Sequence, residues 1–179
     1  MTNLDVSAWG EFLVGGPNGL FCGIDFGKCK SAGTLLDGNI PYIGATNRNN
    51  GVMRYVSDDN PSMISKGNCI VFICNGQGSG GYTVYMPDDF IGSRDIKVGY
   101  NDHLNLYTGM FLVAVLNRNR DIYGYGFTEK RTKATMAKEV VRLPVTDDGE
   151  PDWAFMEAFM RRKLDEANRR FTCFQHAMQ

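Results

Sequence analysis

A run of short β-type segments followed by helix-type segments predicts an α+β fold: a twisted, mostly antiparallel sheet with a long C-terminal helix. Three observations carry this. "NCIVFIC" (Asn68 to Cys74) is a short, continuous apolar run rich in β-branched residues. "IPYIGATNRNNGVMRYV" sets two β-type stretches around Asn50-Gly51, residues that tolerate the positive φ of a hairpin turn. After Trp153, apolar residues recur at steps of three and four, the spacing of one helix face.

Taken in order, "FLVGG" and "GLFCGIDFG" interleave apolar residues with glycine around Pro17-Asn18-Gly19, which predicts strand, turn, strand. Ile40 to Thr46 reads as a strand whose Pro41, unable to donate to a ladder, marks an edge or a strand start. "VMRYV" returns from it as a hairpin. "NCIVFIC" is the expected central strand, and "GYTVYM" its partner across "NGQGSG". In "LNLYTGMFLVAVL" the apolar residues are too dense for alternation, so Leu104 to Leu116 is expected as a mostly buried helix despite Gly109. A glycine-aromatic loop at Tyr123 to Phe127 follows, then a short strand near Val140 to Leu143, stopped by Pro144. Asp152 stands at the start of the last helix. Its seam is Trp153, Met156, Met160, Leu164, Ala167, Phe171 and Phe174, a heptad-like pattern with a stutter, widened by Phe155 and Phe159. About 25 residues of helix reach roughly 37 Å. That length predicts a projecting arm used for assembly, with packing of the helix on its own domain as the alternative, so the chain divides into a domain at 1–149 and a helix at 150–179.

The 179 residues, 43% hydrophobic, suffice for one sizeable core. The start has no signal-peptide pattern and no apolar run reaches the roughly 18 residues of a membrane span, so a cytoplasmic protein without membrane contact is expected. The five cysteines form no CxxC pair and the two histidines, His103 and His176, lie far apart, so no metal and no cofactor are expected. Reduced, buried thiols are the expectation for the cysteines. A net charge of −1 argues against charge-driven, non-specific nucleic-acid binding and leaves room for local basic patches.

Catalytic patterns are missing. No GxSxG, HExxH, P-loop or EF-hand motif occurs. "GQGSGG" sits between two expected strands and lacks the helix whose N-terminus would hold a phosphate. The carboxylate pairs Asp58-Asp59, Asp88-Asp89 and Asp147-Asp148 fall in turns, where water solvates them. Asn60-Pro61 lacks the aromatic that an amino-methyltransferase motif needs. A hydrolase built on Asp102, His103 or a cysteine is the enzyme-class alternative, and it requires a deep pocket around those groups.

What remains is a set of polar loops at strand ends. Thr46, Asn47, Arg48, Asn49 and Asn50 are side-chain types that read base edges: arginine pairs bidentately with guanine, asparagine with adenine, and threonine meets a thymine methyl. Gln77 and Ser79 lie in a second such loop. Lys28, Lys30, Arg54, Arg94, Lys97, Lys130, Arg131 and Lys133 are cations able to hold phosphates and fix register. The plain alternative for each is a turn-forming asparagine or a solvated charge.

In colinear order, "W..F.V" from Trp9, "GLFCGIDFGK", "IPYIGATNRNNGVMRYV", "ISKGNCIVFICNGQGSGGYTVY", "LVAVLNRNRDIYGYGF" and "LPVTDDGEPDWAFMEAFM" resemble the target recognition domain of DNA specificity subunits in type I and type IIB (BcgI-like) restriction-modification systems. The resemblance implies a non-catalytic subunit that reads double-stranded DNA for a separate adenine methyltransferase and a restriction subunit. It also implies two recognition domains per subunit, each followed by a long helix, with the helices packed antiparallel to set half-site spacing and to dock the methyltransferases. One recognition domain and one helix correspond to half of that plan, so a homodimer through the C-terminal helix is expected. An antagonist or remnant that binds the methyltransferase by its helix alone is the alternative.

Overall fold

The computed structural model describes residues 4–57, 59–76, 78–126 and 128–177, with side chains as far as Cys173. The strands are β1 (Gly10–Leu13), β2 (Ile24–Phe26), β3 (Asp37–Ile43), β4 (Val52–Val56), β5 (Ile64–Ser65), β6 (Cys69–Ile73), β7 (Thr83–Met86), β8 (Phe90–Gly92), β9 (Ile96–Gly99) and β10 (Val140–Leu143). The helices are α1 (Leu106–Tyr123), α2 (Lys133–Met136) and α3 (Trp153–Ala177). The fold is α+β. Its strands form a four-stranded sheet of order β2-β9-β6-β7, a second of order β4-β3-β8-β5, and a β1-β10 pair. Every ladder is antiparallel except β3 with β8.

β6 is the central strand, for a reason its composition gives. All of its residues are buried. Ile70 and Phe72 point into a cluster with Phe21, Phe111, Leu112, Leu116 and Met156. Cys69, Val71 and Ile73 point the other way, into a cluster with Ile43, Val84, Phe90 and Val98 between the two larger sheets. A strand with two dry faces has no polar side to alternate with, which is why it reads as a continuous apolar run. The sheet is thus sandwiched between the second sheet and a helical layer.

α1 lies across β7, and Gly109 permits it: a Cβ there would run into the Tyr85 ring. The helix is capped by Asn105, whose side-chain oxygen accepts from the amides of Tyr107 and Thr108, and it continues seven residues beyond the expected Leu116 to Tyr123. It ends at Gly124 in the left-handed conformation, φ 61°.

Two expectations change. "FLVGG" and "GLFCGIDFG" do not form a hairpin: β1 pairs with β10 and β2 with β9, each from much later in the chain. Their local connection is a loop in which the Leu20 and Phe21 amides donate to the Leu13 and Val14 carbonyls. Pro41 lies inside a strand that is internal to its sheet, but β8 joins β3 only at Tyr42 and Ile43, so Pro41 sits outside that ladder. β5, β8 and β9 had no separate sequence expectation.

α3 begins where Asp152 accepts the Phe155 amide at 2.8 Å. Its first turns belong to the domain. Met156 is fully buried, and Trp153, Phe159 and Met160 pack on the same cluster. Phe159 meets Phe111 edge-on, with ring centroids 5.8 Å apart. Glu157 accepts from Asn105 at 2.8 Å and pairs with Arg161, whose guanidinium lies 4.0 Å from the Tyr107 ring centre. The N-terminal part of the expected assembly seam is therefore corrected: Met156 fills this domain's own core, and Trp153 and Met160 flank it. From Ala167 to Cys173 every residue is exposed, Phe171 among them. The Phe174 side chain lies outside the described residues.

Candidate nucleic-acid interface

The β3–β4 connection spans residues 44–51 and ends in a single 3-10 turn. Asn49, Asn50 and Gly51 take φ of 47°, 51° and 82°, so the positive φ expected of Asn50-Gly51 is present and begins one residue earlier. This folds the loop back over its own base, and Asn47, Arg48 and Asn49 are exposed at its tip. Thr46 Oγ1 accepts the Arg48 amide at 3.2 Å, ordering the approach to that tip. The Arg48 guanidinium has no partner among the described residues. Asn50 is exposed as well, but its Nδ2 donates to the Tyr85 carbonyl of β7 at 3.1 Å, so this asparagine anchors the loop.

The β6–β7 loop lies against it. Ser79 is buried and its hydroxyl donates to the Ala45 carbonyl at 2.9 Å, joining the two loops. Gly76, at φ 105°, leaves the space that this hydroxyl enters. Ser79 is thus a tie between loops, not a base-contacting group. Gln77 lies outside the described residues.

A third segment completes the cluster. In the β8–β9 turn the Ser93 amide donates to the Ile43 carbonyl at 2.8 Å and Asp95 accepts from the Asn75 side chain at 3.1 Å. Arg94 stands exposed between them. The β3–β4 loop, the glycine loop and the turn that carries Arg94 are therefore tied together by hydrogen bonds, although 47 positions separate Asn47 from Arg94 in sequence.

The other expected cations divide by environment. Lys30, Lys130 and Lys133 are exposed, and the Lys133 Nζ lies 4.9 Å from the centre of the Phe26 ring. Lys28 is exposed but donates to the Ile64 carbonyl at 2.6 Å. Arg54 is committed to the fold: it donates to the Ala32 and Leu35 carbonyls at 2.7 and 2.6 Å and lies 3.6 Å from Asp37.

Lys97 and Arg131 are corrections. Lys97 is buried and donates to the Arg131 carbonyl at 3.2 Å. Arg131 is wholly buried in a two-point pair with Glu139, at 2.9 and 2.6 Å, and its remaining donors go to Gly81 O and Thr83 Oγ1. Its plane also lies over the Phe72 ring at 4.6 Å. Tyr125 donates to the same Glu139, and burial, reinforced by that carboxylate, pushes its phenol up to about 12. An exposed charge cannot be told from a buried one by residue type, but a basic residue eight positions before a glutamate that precedes an apolar strand was the available sign.

Sequence reasoning missed Asn117 and Arg120. They stand three apart on α1, one turn of its face. Asn117 accepts from the Thr83 amide at 2.7 Å and donates to the Thr83 carbonyl at 3.0 Å. Arg120 donates to the carbonyls of Gly80 at 2.9 Å and Gly78 at 3.4 Å, its plane 4.6 Å from the Tyr82 ring centre.

Groups suited to catalysis are placed otherwise. The exposed His103 stacks on Trp153, with rings 5.1 Å apart and 10° from parallel. A hollow of about 360 Å³ is lined by Lys28, Cys29, Lys30, Ser31, Thr34 and Met63, and another of about 250 Å³ runs from Leu35 to Ile91; neither includes Asp102 or His103. Cys29, Cys69 and Cys74 are buried, and burial pushes the Cys69 thiol up to about 12 and raises Cys74. Cys22 and Cys173 are exposed, so the expectation of buried thiols holds for three of the five. Among the described residues no three His, Cys, Asp or Glu side chains gather as a metal site, and no helix is long and apolar enough to cross a membrane.

Residues 21–170 match the type I restriction modification DNA specificity domain. The chain is 31% identical over 159 residues to the type II restriction enzyme specificity subunit S.BcgI of Heyndrickxia coagulans, covering 87% of this chain and 43% of that protein. It resembles the S subunit of a type I restriction-modification system from M. genitalium, with TM-score 0.59 and 17% identity over 96% of this chain and 44% of that one. It likewise resembles the HsdS subunit from Thermoanaerobacter tengcongensis, with TM-score 0.59 and 14% identity over 100% of this chain and 42% of that one. A chain from a structure of complex assembly and conformational transition in the type I system gives TM-score 0.62 and 14% identity over 98% and 43%. At these identities the structural likeness concerns the fold. The chain spans less than half the length of each of these proteins.

Proposed function

The chain belongs to the type I restriction-modification DNA specificity domain family, and from that premise we propose that it is a sequence-specific DNA recognition subunit, non-catalytic itself, that directs a separate methyltransferase and nuclease to their site. The observation that carries this reading is the joining of the β3–β4 loop, whose tip is Asn47–Asn49, to the glycine loop by the Ser79–Ala45 bond, and of Asn75 to Asp95, the neighbour of Arg94. Base readout requires donors and acceptors held in fixed register, and this tip leaves the second sheet, which packs against β6, a strand buried on both faces.

In this reading Asn47, Arg48 and Asn49 contact base edges, with Thr46 shaping the tip. Arg94, Lys30, Lys130 and Lys133 contact phosphates, with Lys28 beside them. Each good bidentate pairing contributes about 1–3 kcal/mol of discrimination, so two such residues suffice for a short half-site. The part of α3 beyond the core contacts, from the half-buried Leu164 through the exposed Phe171, pairs with a second copy or with the methyltransferase subunit. A twofold dimer built that way would read a symmetric, interrupted site in the cytoplasm.

Co-expression with a methyltransferase subunit of the same family, followed by sequencing of methylated positions, tests this. One interrupted sequence modified throughout the genome is the expected result. Methyltransferase capture by α3 without any modified sequence would replace it with the antagonist reading.

A further inference from the structure

We infer that Arg120 of α1 is a positioning residue that holds the β6–β7 loop in its reading conformation, while touching no DNA itself. For DNA the inference rests on the function proposed above; for the loop it rests on geometry alone. The loop is rich in glycine, with Gly76, Gly78 and Gly81 at φ of 105°, 74° and 89°, so its own backbone preferences do not select one shape. Its carbonyls are held from outside. Arg120 is half-buried, and its fork bonds Gly80 O through Nε and Gly78 O through Nη2, while its plane lies on Tyr82, the residue that closes the loop. Arg131 takes the next carbonyl, Gly81 O, from the buried side. Three oxygens of one glycine-rich segment thus face two guanidinium groups.

The placement of Arg120 matters. It lies one helical turn after Asn117, which grips Thr83 of β7 at both its amide and its carbonyl. It also lies at the end of α1, whose own Gly109 seats on Tyr85. Tyr85 in turn accepts Asn50 of the neighbouring loop. Both loops are therefore hung from β7, and α1 fixes β7. Arg120 directs Nε and Nη2 onto loop carbonyls, and its Nη1 lies 3.5 Å from the exposed Asp121.

The test compares the full chain with Arg120→Ala and Arg120→Lys. Amide hydrogen exchange reads the loop. Selection from a random duplex pool reads sequence preference, and a salt titration reads phosphate contacts. In Arg120→Ala, protection at Gly80 and Gly81 falls at least tenfold while β6 amides stay protected, which excludes global unfolding. Discrimination at the position read beside the loop falls by about tenfold, the size of one base contact, and the salt slope is unchanged. Arg120→Lys keeps the charge without the two-point fork and behaves as the alanine variant does. Unchanged loop protection in Arg120→Ala, or full rescue by lysine, overturns the inference. So does a salt slope reduced by about one with sequence preference intact, because that marks a direct phosphate contact. If the unaltered chain selects no sequence, the proposed function fails, while the exchange measurement still decides the role of Arg120.

Discussion

The Ser79 hydroxyl donates to the Ala45 carbonyl at 2.9 Å, and this single bond joins two loops that leave different sheets. Ser79→Ala removes it and leaves a part-buried carbonyl without that donor. The expected cost is about 1 kcal/mol in urea denaturation, near the mean for one hydrogen bond. Sequence discrimination on DNA should fall by more than affinity for arbitrary DNA does. Equal losses in both would remove the idea that the bond sets loop register.

Arg48 and Lys133 should separate the two kinds of DNA contact. Arg48→Ala is expected to relax preference at one base position, losing about 1–3 kcal/mol there. Lys133→Ala should weaken all sequences alike and lower the salt slope by about one. Binding to matched and mismatched duplexes at several salt concentrations checks both.

The Arg131–Glu139 pair is fully buried, with bonds at 2.9 and 2.6 Å. Glu139→Gln keeps the shape but strands a buried cation, and Arg131→Met strands a buried carboxylate. Each is expected to cost about 3–5 kcal/mol, while removing both charges together costs less than the sum. Chemical denaturation of the two single variants and the double variant gives the coupling. Additive losses would mean that the pair does not act as a unit.

Asp89 links the β8 start to the turn before β6, accepting from Lys66 Nζ and from the Gly67 amide, both at 2.8 Å. Those bonds, Lys66 first, lower its carboxyl from the ordinary 3.8. A lowered folded-state pKa means the stabilisation is complete above the unfolded value and is lost as pH falls through the folded one. Asp89→Asn should therefore lower the melting temperature at pH 7, with the gap to the unaltered chain closing below about pH 4. Melting curves across that range would show a gap independent of pH if the carboxylate charge were irrelevant.

α3 should divide by function along its length. Met156→Ala deletes a fully buried side chain and should cost about 2–5 kcal/mol of domain stability. Phe171, 65% exposed, should tolerate glutamate with the melting temperature intact. Sedimentation or light scattering should then show Phe171→Glu losing self-association. A variant that keeps the mass of the unaltered chain would leave the helix end without a role in pairing.

The type of most elements was legible from local pattern alone. Val140–Leu143 and the β3–β4 hairpin follow from β-branched runs and turn residues, and α3 follows from its apolar spacing and the Asp152 cap. The short strands Phe90–Gly92 and Ile96–Gly99 escaped because three or four residues show no period that a turn-rich stretch could not also show. The polar tip Asn47–Asn49 was readable for the same local reason as the hairpin: chain that must reverse at a strand end leaves its side chains exposed.

Local sequence was enough to assign most strands, α1, α3 and the loop that carries the polar tip, because torsional preference and apolar period act between near neighbours. Which strands meet and which charges stay free follows from long-range packing. β1 finds β10 across most of the chain, Arg131 and Lys97 turn inward while Lys133 stays out, and Asn50 becomes an anchor on β7. Each of those outcomes depends on which surface arrives from a distant part of the chain to desolvate the group and supply its partner, and residue type carries no record of that arrival.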